Sequence, residues 1–403
     1  MHNKSFKKTI LGIIICITLL ITLCGCKKDN TTTLFKDEYE LYDDNGVIKC
    51  RNYDYVVCLE KEKDKDFTIL NFADVQLAKD DVIYENGVAK YAYELMNELI
   101  TEVNPDLITL TGDQGYGEPE SIKAISSVIN KYNIPWAYVL GNHDNECSEI
   151  GVEEQINLYS TYSNCIAKYG PREITESDTG IPKAGNYIIN IVEREEDGFK
   201  IVRSLFMLNT GNKTNPYDMD KRINNMYYDH LSDKQLEFYK WGLESSKKYN
   251  NGEYPKSTII EHIPITAYAF AFAEAFFTDF SPYEFSKIIA VSAGYLPRET
   301  YDGSCWKEGY KDSFGVCYEI VYSSPSDDGI FEVIKQYGST DSMLVGHDHI
   351  NNFSINYQGV RLTYGLKTGY GSSYNRSLIG GTVLTVTDSS ISFEHIYKKQ
   401  VIN

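Results

Sequence analysis

The chain has 403 residues, of which 42% are hydrophobic and 24% are charged, and this composition is typical of a globular protein with a sizeable core. Its formal net charge of −18 argues against nucleic acid as the main partner, because binding a phosphate backbone needs a basic surface. The same charge does not exclude small phosphorylated ligands, since a bound metal ion can supply positive charge locally.

The N-terminus has the pattern of a secretory signal. A basic segment precedes the apolar run TILGIIICITLLITL, and LCGC follows at residues 23–26. A small residue before a cysteine at this place resembles the lipobox of bacterial lipoproteins, so we expect residues 1–25 to be a signal peptide and Cys26 to carry the lipid. The alternative is an uncleaved transmembrane anchor, because the run is nearly long enough to span a bilayer. Either arrangement predicts an extracytoplasmic protein held at the cell membrane.

From residue 67 the chain alternates apolar runs of strand length with segments of helical periodicity. The order strand, helix, strand, helix, strand predicts βαβ units on a mainly parallel sheet. The segments are FTILNFA, VAKYAYELMNELITEV, PDLITLTGD, PESIKAISSVINKY and IPWAYVLGNHD. We expect residues 26–66 to form a polar tether and an N-terminal hairpin over 46–60, and residues 67–397 to form one domain.

The second half of the chain alternates less regularly. Two paired strands, GNYIINIVE and KIVRSLFMLNT, precede a helix with Ser232 as its expected N-cap. KSTIIEHIP and DSMLVGHDH are predicted strands, and residues 265–325 between them are predicted to hold a helix and long loops. Residues 352–364 and 380–399 are predicted to form antiparallel hairpins.

Nine cysteines are present, three of them in the targeting segment. An even number remains, which permits disulfides in an oxidising compartment. Pairing by proximity would join residues 50 and 58, 147 and 165, and 305 and 317, although other connectivities are open. No pair has C-x-x-C spacing, so a structural cysteine metal site is not expected.

Polar residues of one chemical kind follow the ends of several predicted strands. Four of the seven histidines are among them. Because the carboxyl ends of strands line the ligand crevice of an open α/β sheet, these residues can converge at one rim. Carboxylates and imidazoles suit Zn, Fe or Mn, and a pair of such ions can clamp a phosphate. The residues are Asp74, Gln76, Asp113, Asn142, His143, Asp144, His262, His347 and His349.

Five short motifs occur in a fixed order, each after an apolar run: ADVQ, TGDQGY, LGNHD, EHIP and VGHDH. Together they resemble the signature of the calcineurin-like metallophosphoesterase superfamily, over about residues 67–350. The resemblance implies an α/β fold, a four-layer α/β/β/α sandwich of two mixed sheets flanked by helices. It places the metals at the sheet edges.

The resemblance also implies roles for these residues in a centre of two metal ions, Mn, Zn or Fe. Asp74 and His349 would hold the first ion and Asp113 would bridge both. The second ion would be held by Asn142, His262 and His347. His143 would lie near the phosphate and assist the leaving oxygen, Asp144 would orient His143, and metal-bound hydroxide would be the nucleophile.

Gln76 departs from the family pattern, which commonly has histidine at that position. A glutamine oxygen ligates more weakly than histidine. Tyr116 offers another ligand, because GDQGY matches the Gly-Asp-x-x-Tyr block of purple acid phosphatases, which also lack the first histidine. Whether Gln76 or Tyr116 ligates the first metal stays open on the sequence.

The function expected from this resemblance is hydrolysis of small phosphomonoesters by a lipid-anchored enzyme. The partners would be a small phosphorylated substrate and the membrane. One alternative is a phosphodiesterase acting on nucleotides or lipid headgroups. Another is a surface-binding lipoprotein without turnover, which the departure at Gln76 favours.

Overall fold

Two large mixed β-sheets form the centre of the molecule in the computed structural model. It describes residues 34–146, 149–177, 180–213, 228–276, 307–324 and 328–398. The strands are β1 (Glu40–Asp44), β2 (Val47–Arg51), β3 (Val56–Glu60), β4 (Phe67–Phe72), β5 (Leu107–Thr111), β6 (Trp136–Val139), β7 (Tyr187–Glu195), β8 (Gly198–Met207), β9 (Lys256–Ile260), β10 (Thr340–Val345), β11 (Ser354–Tyr357), β12 (Val360–Tyr364), β13 (Gly380–Val386) and β14 (Ile391–Tyr397). The helices are α1 (Lys79–Ile83), α2 (Gly87–Val103), α3 (Pro119–Asn130), α4 (Val152–Ser160), α5 (Asp233–Ser246), α6 (Ala267–Phe276) and α7 (Ile330–Tyr337).

The five-stranded sheet has the order β14-β13-β4-β5-β6. Its strands β4, β5 and β6 run parallel, as the alternation of strands and helices predicts. Strand β13 pairs antiparallel with β4, and β14 pairs antiparallel with β13. The C-terminal hairpin therefore completes the sheet that the first βαβ units begin.

The seven-stranded sheet has the order β11-β12-β10-β9-β8-β7-β3. Neighbouring strands from β8 through β9 and β10 to β12 are parallel. Strand β7 pairs antiparallel with β8, and β11 pairs antiparallel with β12. Strands β9 and β10 lie side by side at the centre, so the residues that follow them emerge close together.

Residues from both sheets share one hydrophobic core, which includes Ile69 of β4 and Leu205 of β8. The hydroxyl of Tyr187 in β7 donates to the carbonyl oxygen of Tyr138 in β6 at 2.6 Å, and this bond ties the two sheets together. Tyr187 is completely buried. Its hydroxyl therefore needs such a partner inside the core.

Helices cover the outer faces of both sheets. Leu99 of α2 lies against Gly381 of β13, where a methyl group on the glycine would approach Leu99 Cδ1 to 3.0 Å. On the other side, Gly242 lets α5 approach Ile188 of β7 and Phe206 of β8, both 2.6 Å from the position of an added Cβ. The predicted arrangement of two mixed sheets flanked by helices is confirmed.

Several helices begin at residues that favour a helix N-terminus. The Asn86 side chain accepts hydrogen bonds from the backbone of Val88 and Ala89 at the start of α2. Ser232 caps α5 as predicted and forms a capping box with Gln235. Pro119 lies in the first turn of α3. The backbone N–H that proline lacks would have no acceptor within the helix at this position, so its absence costs no hydrogen bond.

Two expectations from the sequence are corrected. The N-terminal hairpin lies at 40–51, formed by β1 and β2, and not at 46–60. Residues Val56–Glu60 leave the hairpin because they pair with β7 as the edge strand of the larger sheet. Cys50 and Cys58 are free thiols, so the pairing expected between them is not formed. Cys147 and Cys305, needed for the other two pairs, lie outside the described residues.

The targeting segment and Cys26 also lie outside the described residues. Within the part of the chain that the structure describes, no helix has the length and apolarity needed to cross a membrane. Residues Asp37–Asn403 cluster as one compact unit. The division of the chain at residues 25 and 66 stays a prediction.

Candidate metal centre

The loops after β4, β5, β6, β9 and β10 meet at one edge of the two sheets and bring their polar residues together. Four of these residues adopt left-handed backbone conformations: Asp74 (φ 51°), Gln76 (φ 47°), Asp113 (φ 51°) and His347 (φ 76°). This conformation is uncommon for residues other than glycine and concentrates at functional sites. Gly141 is needed for the close approach, because a Cβ there would lie 2.1 Å from Oδ1 of Asp113.

Three side chains converge around Nε2 of His262. This nitrogen lies 3.2 Å from Oδ2 of Asp113, 3.3 Å from Oδ1 of Asn142 and 3.3 Å from Nδ1 of His347. The four residues, Asp113, Asn142, His262 and His347, are called the second site below. Their donor set of one carboxylate, one amide oxygen and two imidazoles is that of a transition-metal site.

The orientation of the His262 ring is fixed by a backbone carbonyl group on the side away from the other ligands. Its Nδ1 lies 2.7 Å from the carbonyl oxygen of Thr111, so the ring donates there and leaves Nε2 free to ligate. The amide nitrogen of Asn142 is buried without a hydrogen-bond partner among the described residues.

Electrostatics within the second site favour a cation. Burial by itself lowers the pKa of His262, but the carboxylate of Asp113 outweighs it and raises that pKa to about 10. Burial and the neighbouring His262 together hold the pKa of His347 well below its usual range. In the metal-free protein the His262 ring therefore carries a proton beside Asp113, which a bound metal ion would displace, and the His347 ring is neutral, as a metal ligand must be.

A second group of ligand atoms lies beside the first. One ligand atom from each of Asp74, Asp113 and His349 lies within 4.8 Å of the others, and these three residues are called the first site below. Nε2 of His349 is 3.5 Å from Oδ1 of Asp74, while its Nδ1 is 2.8 Å from the hydroxyl of Ser373. Asp113 belongs to both sites, which is the position required of a bridging carboxylate.

Gln76 lies at the first site but turns its oxygen away from it. Its Oε1 accepts a hydrogen bond from the ammonium of Lys367 at 3.1 Å, and its Nε2 points to Oδ2 of Asp113 at 3.4 Å. Lys367 also donates to the backbone oxygen of Asp74 at 2.6 Å. Burial lowers the pKa of Lys367 to about 8, although neighbouring carboxylates, Asp74 first among them, oppose that shift.

The other candidate ligand of the first site, Tyr116, packs its ring edge-on to His143 with 5.3 Å between the ring centroids. Burial raises the pKa of its hydroxyl, although the nearby side chain of Ser372 opposes that shift. Of the two ligands that the sequence left open for the first site, Tyr116 is thus disfavoured by the raised pKa of its hydroxyl.

His143 occupies the more open side of the centre, with a quarter of its side chain exposed. Its backbone N–H donates to Oδ1 of Asp113 at 2.8 Å, which fixes the residue beside the bridging carboxylate. Nδ1 of its ring lies 2.9 Å from Glu146, and Glu146 is in turn paired with Lys213. The imidazole is therefore oriented by Glu146.

Asp144 has a different contact set from the one expected. Its Oδ2 accepts from the backbone N–H groups of Asp113 and Gly141, each at 2.8 Å, and these bonds tie the loops after β5 and β6 together. Backbone N–H groups, and not the His143 ring, are thus the hydrogen-bond partners of this carboxylate. The expectation that Asp144 orients the His143 ring is thus replaced: Asp144 positions the backbone of Asp113, and Glu146 contacts the imidazole.

The family is decided by a comparison of the whole sequence. A model of the calcineurin-like phosphoesterases matches residues 67–351, more than half of the chain. The chain belongs to the calcineurin-like phosphoesterase family.

Two plant proteins are similar to this calcineurin-like phosphoesterase. Probable inactive purple acid phosphatase 29 of Arabidopsis thaliana is 26% identical over 287 residues, which cover 68% of this chain and 62% of that protein. Probable inactive purple acid phosphatase 14 of the same plant is 24% identical over 290 residues, covering 68% and 61%. The chain thus spans about three fifths of the length of these relatives.

Among solved structures, a dimetal phosphatase from Danio rerio is similar, with 11% sequence identity and a TM-score of 0.47. The alignment covers 82% of this chain and 95% of that one. At this level of identity the site of this calcineurin-like phosphoesterase has to be judged from its own residues.

Those residues fit a metal ion unequally at the two sites. The second site offers a converging donor set with one imidazole tautomer fixed by Thr111. The first site offers two carboxylates and one imidazole, and the oxygen of Gln76 is engaged elsewhere. The sequence motifs missed Lys367, Glu146 and Ser373. The sequence did contain a sign that Lys367 belongs to the site. It is the charged residue in the segment GLKTG, and it follows β12 as the candidate ligands follow their strands.

Proposed function

We propose that this protein is a metal-dependent hydrolase of phosphate esters and that phosphomonoesters are its substrates. The observation that carries the proposal is the convergence of the second-site ligands on Nε2 of His262, with the partly exposed imidazole of His143 beside them. Membership of the calcineurin-like phosphoesterase family supports the same class of reaction.

A metal ion bound here would offset the charge of a phosphate and lower the pKa of a coordinated water. The chain's own contribution is positional. Asp113 is fixed by the bond from its backbone to Asp144, and it accepts the backbone N–H of His143. His143 is thus held at a set position beside the metal ligands, where its ring can donate a proton to the leaving oxygen. Glu146 keeps that ring oriented from the solvent side.

A non-catalytic binding role is the second candidate. The contact between Gln76 and Lys367 favours it, because it removes one expected ligand oxygen from the first site. The names of the two plant relatives, which describe them as probable inactive phosphatases, point the same way. Against it, His143 and the complete second site have no evident purpose in a protein that only binds.

Hydrolysis assays on metal-free protein separate these functions. Mn²⁺, Zn²⁺ or Fe is added back, and release of p-nitrophenol is followed from p-nitrophenyl phosphate and from bis(p-nitrophenyl) phosphate. We expect faster turnover of the monoester, and loss of that turnover in His143→Ala. Preference for the bis ester would make the protein a phosphodiesterase. Absence of turnover with every metal, in protein shown to bind metal, would leave the binding role.

The lipid anchor is proposed on the N-terminal sequence alone. The basic segment, the apolar run and the LCGC motif support cleavage before Cys26 and lipidation of that cysteine. Mass spectrometry of the N-terminal peptide from membrane fractions tests it. Cys26→Ala protein should keep the uncleaved segment, and an unmodified Cys26 in the wild-type protein would contradict the proposal.

A further inference from the structure

Lys367 is held rigidly inside the protein beside the first site. Only 2% of its surface is exposed. Its backbone forms parallel bridges with Ala73, just before Asp74, and with Ile379, just before β13. The N–H of the next residue, Thr368, donates to the oxygen of Ala73 at 2.7 Å. The lysine is thus fixed to the same loop that supplies Asp74 and Gln76.

The ammonium of Lys367 sets the orientation of the Gln76 amide. It donates to Oε1 of Gln76 at 3.1 Å and to the backbone oxygen of Asp74 at 2.6 Å. Turning the amide over would bring its NH₂ group against an ammonium that has no acceptor to offer. The only oxygen of this side chain therefore stays on Lys367, and its NH₂ group faces Asp113.

This arrangement opposes a metal ion at the first site in two ways. A metal there meets the NH₂ group of Gln76, which cannot ligate, where the family commonly has a histidine. It also meets the repulsion of a fixed positive charge across a buried and weakly screened space. The second site has neither obstacle, because the side chains that converge there are a carboxylate, an amide oxygen and two imidazoles.

We propose that Lys367 acts as a fixed cation in place of a firmly bound first metal, so that this protein holds one ion tightly at the second site and another only weakly. The inference rests on the metal-dependent function proposed above. Lys367 is a positioning residue, since its buried ammonium touches Asp74 and Gln76 rather than the open side of the centre.

The test is a titration of metal-free, full-length protein with Mn²⁺. Calorimetry measures the stoichiometry and affinity of each binding step, and electron paramagnetic resonance shows whether the bound ions are isolated or coupled. Wild-type protein should bind one Mn²⁺ tightly and show the spectrum of an isolated ion. Lys367→Met should tighten the second binding step at least about tenfold and produce the spectrum of a coupled pair, because the repulsion is removed and the Gln76 amide is released. Gln76→His should tighten that step more strongly in the Lys367→Met background than alone.

The matched control is Lys61→Met, which removes another buried lysine, one paired with Glu193. It should leave the Mn²⁺ stoichiometry as in the wild type. Two equally tight Mn²⁺ ions and a coupled spectrum in wild-type protein would overturn the inference, whether or not Lys367→Met folds. An unchanged second step in folded Lys367→Met would overturn it as well.

Turnover of p-nitrophenyl phosphate measured on the same samples keeps the two proposals apart. One tight Mn²⁺ without turnover refutes the hydrolase and leaves the role of Lys367 standing. Two tight Mn²⁺ ions with turnover refute the role of Lys367 and leave the hydrolase standing.

Discussion

Nε2 of His262 lies 3.2 Å from Oδ2 of Asp113, and both side chains are completely buried. They come from segments far apart in the sequence, one following β9 and the other following β5. Their contact joins the two sheets at the point where the candidate metal ligands meet. The pair is therefore both a structural link and the centre of the proposed metal site.

Replacing His262 should abolish tight metal binding. His262→Ala removes the nitrogen on which the second site converges, so we expect its metal dissociation constant to rise by more than about 100-fold, beyond the usual cost of losing an outer-shell partner. Elemental analysis after dialysis measures this loss. His230→Ala, a partly exposed histidine outside both sites, is the control and should retain metal. Retention of the tight ion by His262→Ala would show that the second site is assigned wrongly.

The sequence indicated which residues gather at the candidate metal centre, because each one closely follows a strand and the strands are visible as apolar runs. Parallel neighbours such as β4, β5 and β6 then bring the ends to one edge. The residues that act on the ligands were not visible in this way. Lys367 is 291 positions from Gln76, and their contact depends on how the segment after β12 passes between the sheets. The role of Asp144 was misjudged because LGNHD gives no sign of where a side chain points.

The imidazole of His143 should affect the rate without affecting metal content. It contacts Glu146 and lies outside the ligands that surround Nε2 of His262. His143→Ala should lower kcat on p-nitrophenyl phosphate by about 10²–10⁴-fold, the usual contribution of a positioned acid or base. Metal stoichiometry, measured on the same samples, should remain that of the wild type. Release of the tight ion by this variant would mean that His143 is a ligand.

Substitutions of Asp144 and Glu146 should affect different properties of the protein, although both residues are acidic neighbours of His143. Asp144→Ala leaves the buried N–H groups of Asp113 and Gly141 without their acceptor, at a cost of about 1–3 kcal/mol for each unsatisfied group. It should weaken both folding stability and metal affinity. Glu146→Gln removes the negative charge of a partly exposed partner of the imidazole and should lower only kcat. Denaturant titration and metal analysis of the two variants distinguish these roles, and similar losses of stability in both would refute them.

Tyr116 should prove not to be a metal ligand. Burial raises the pKa of its hydroxyl, which disfavours the phenolate needed for ligation. Iron-loaded protein should therefore have no visible charge-transfer band, and Tyr116→Phe should keep the iron content of the wild type. Ser372→Ala, which removes a nearby side-chain hydroxyl and leaves Tyr116 in place, is the matched control. A visible band that Tyr116→Phe removes would establish tyrosine ligation instead.

His395 should make the stability of the protein depend on pH away from the metal centre. Its Nδ1 lies 3.0 Å from the hydroxyl of Thr382, and its Nε2 lies 2.8 Å from the backbone oxygen of Asn352. Burial lowers its pKa to about 4. In the unfolded chain the pKa returns to about 6.5, so the unfolded state binds more protons between these two values. The contribution is therefore complete above about pH 6.5 and is lost as the pH falls towards 4.

The expected loss is about 1–2 kcal/mol, because the ring is only partly shielded from solvent. His395→Gln can form hydrogen bonds but does not titrate in this range. Denaturant unfolding of metal-free protein at about pH 7.5 and about pH 5 should show a smaller fall in stability for the variant than for the wild type. Comparing the two proteins at each pH cancels the titration of carboxylates that they share. An equal fall in both would mean that the His395 ring accepts a proton as readily in the folded protein as in the unfolded chain.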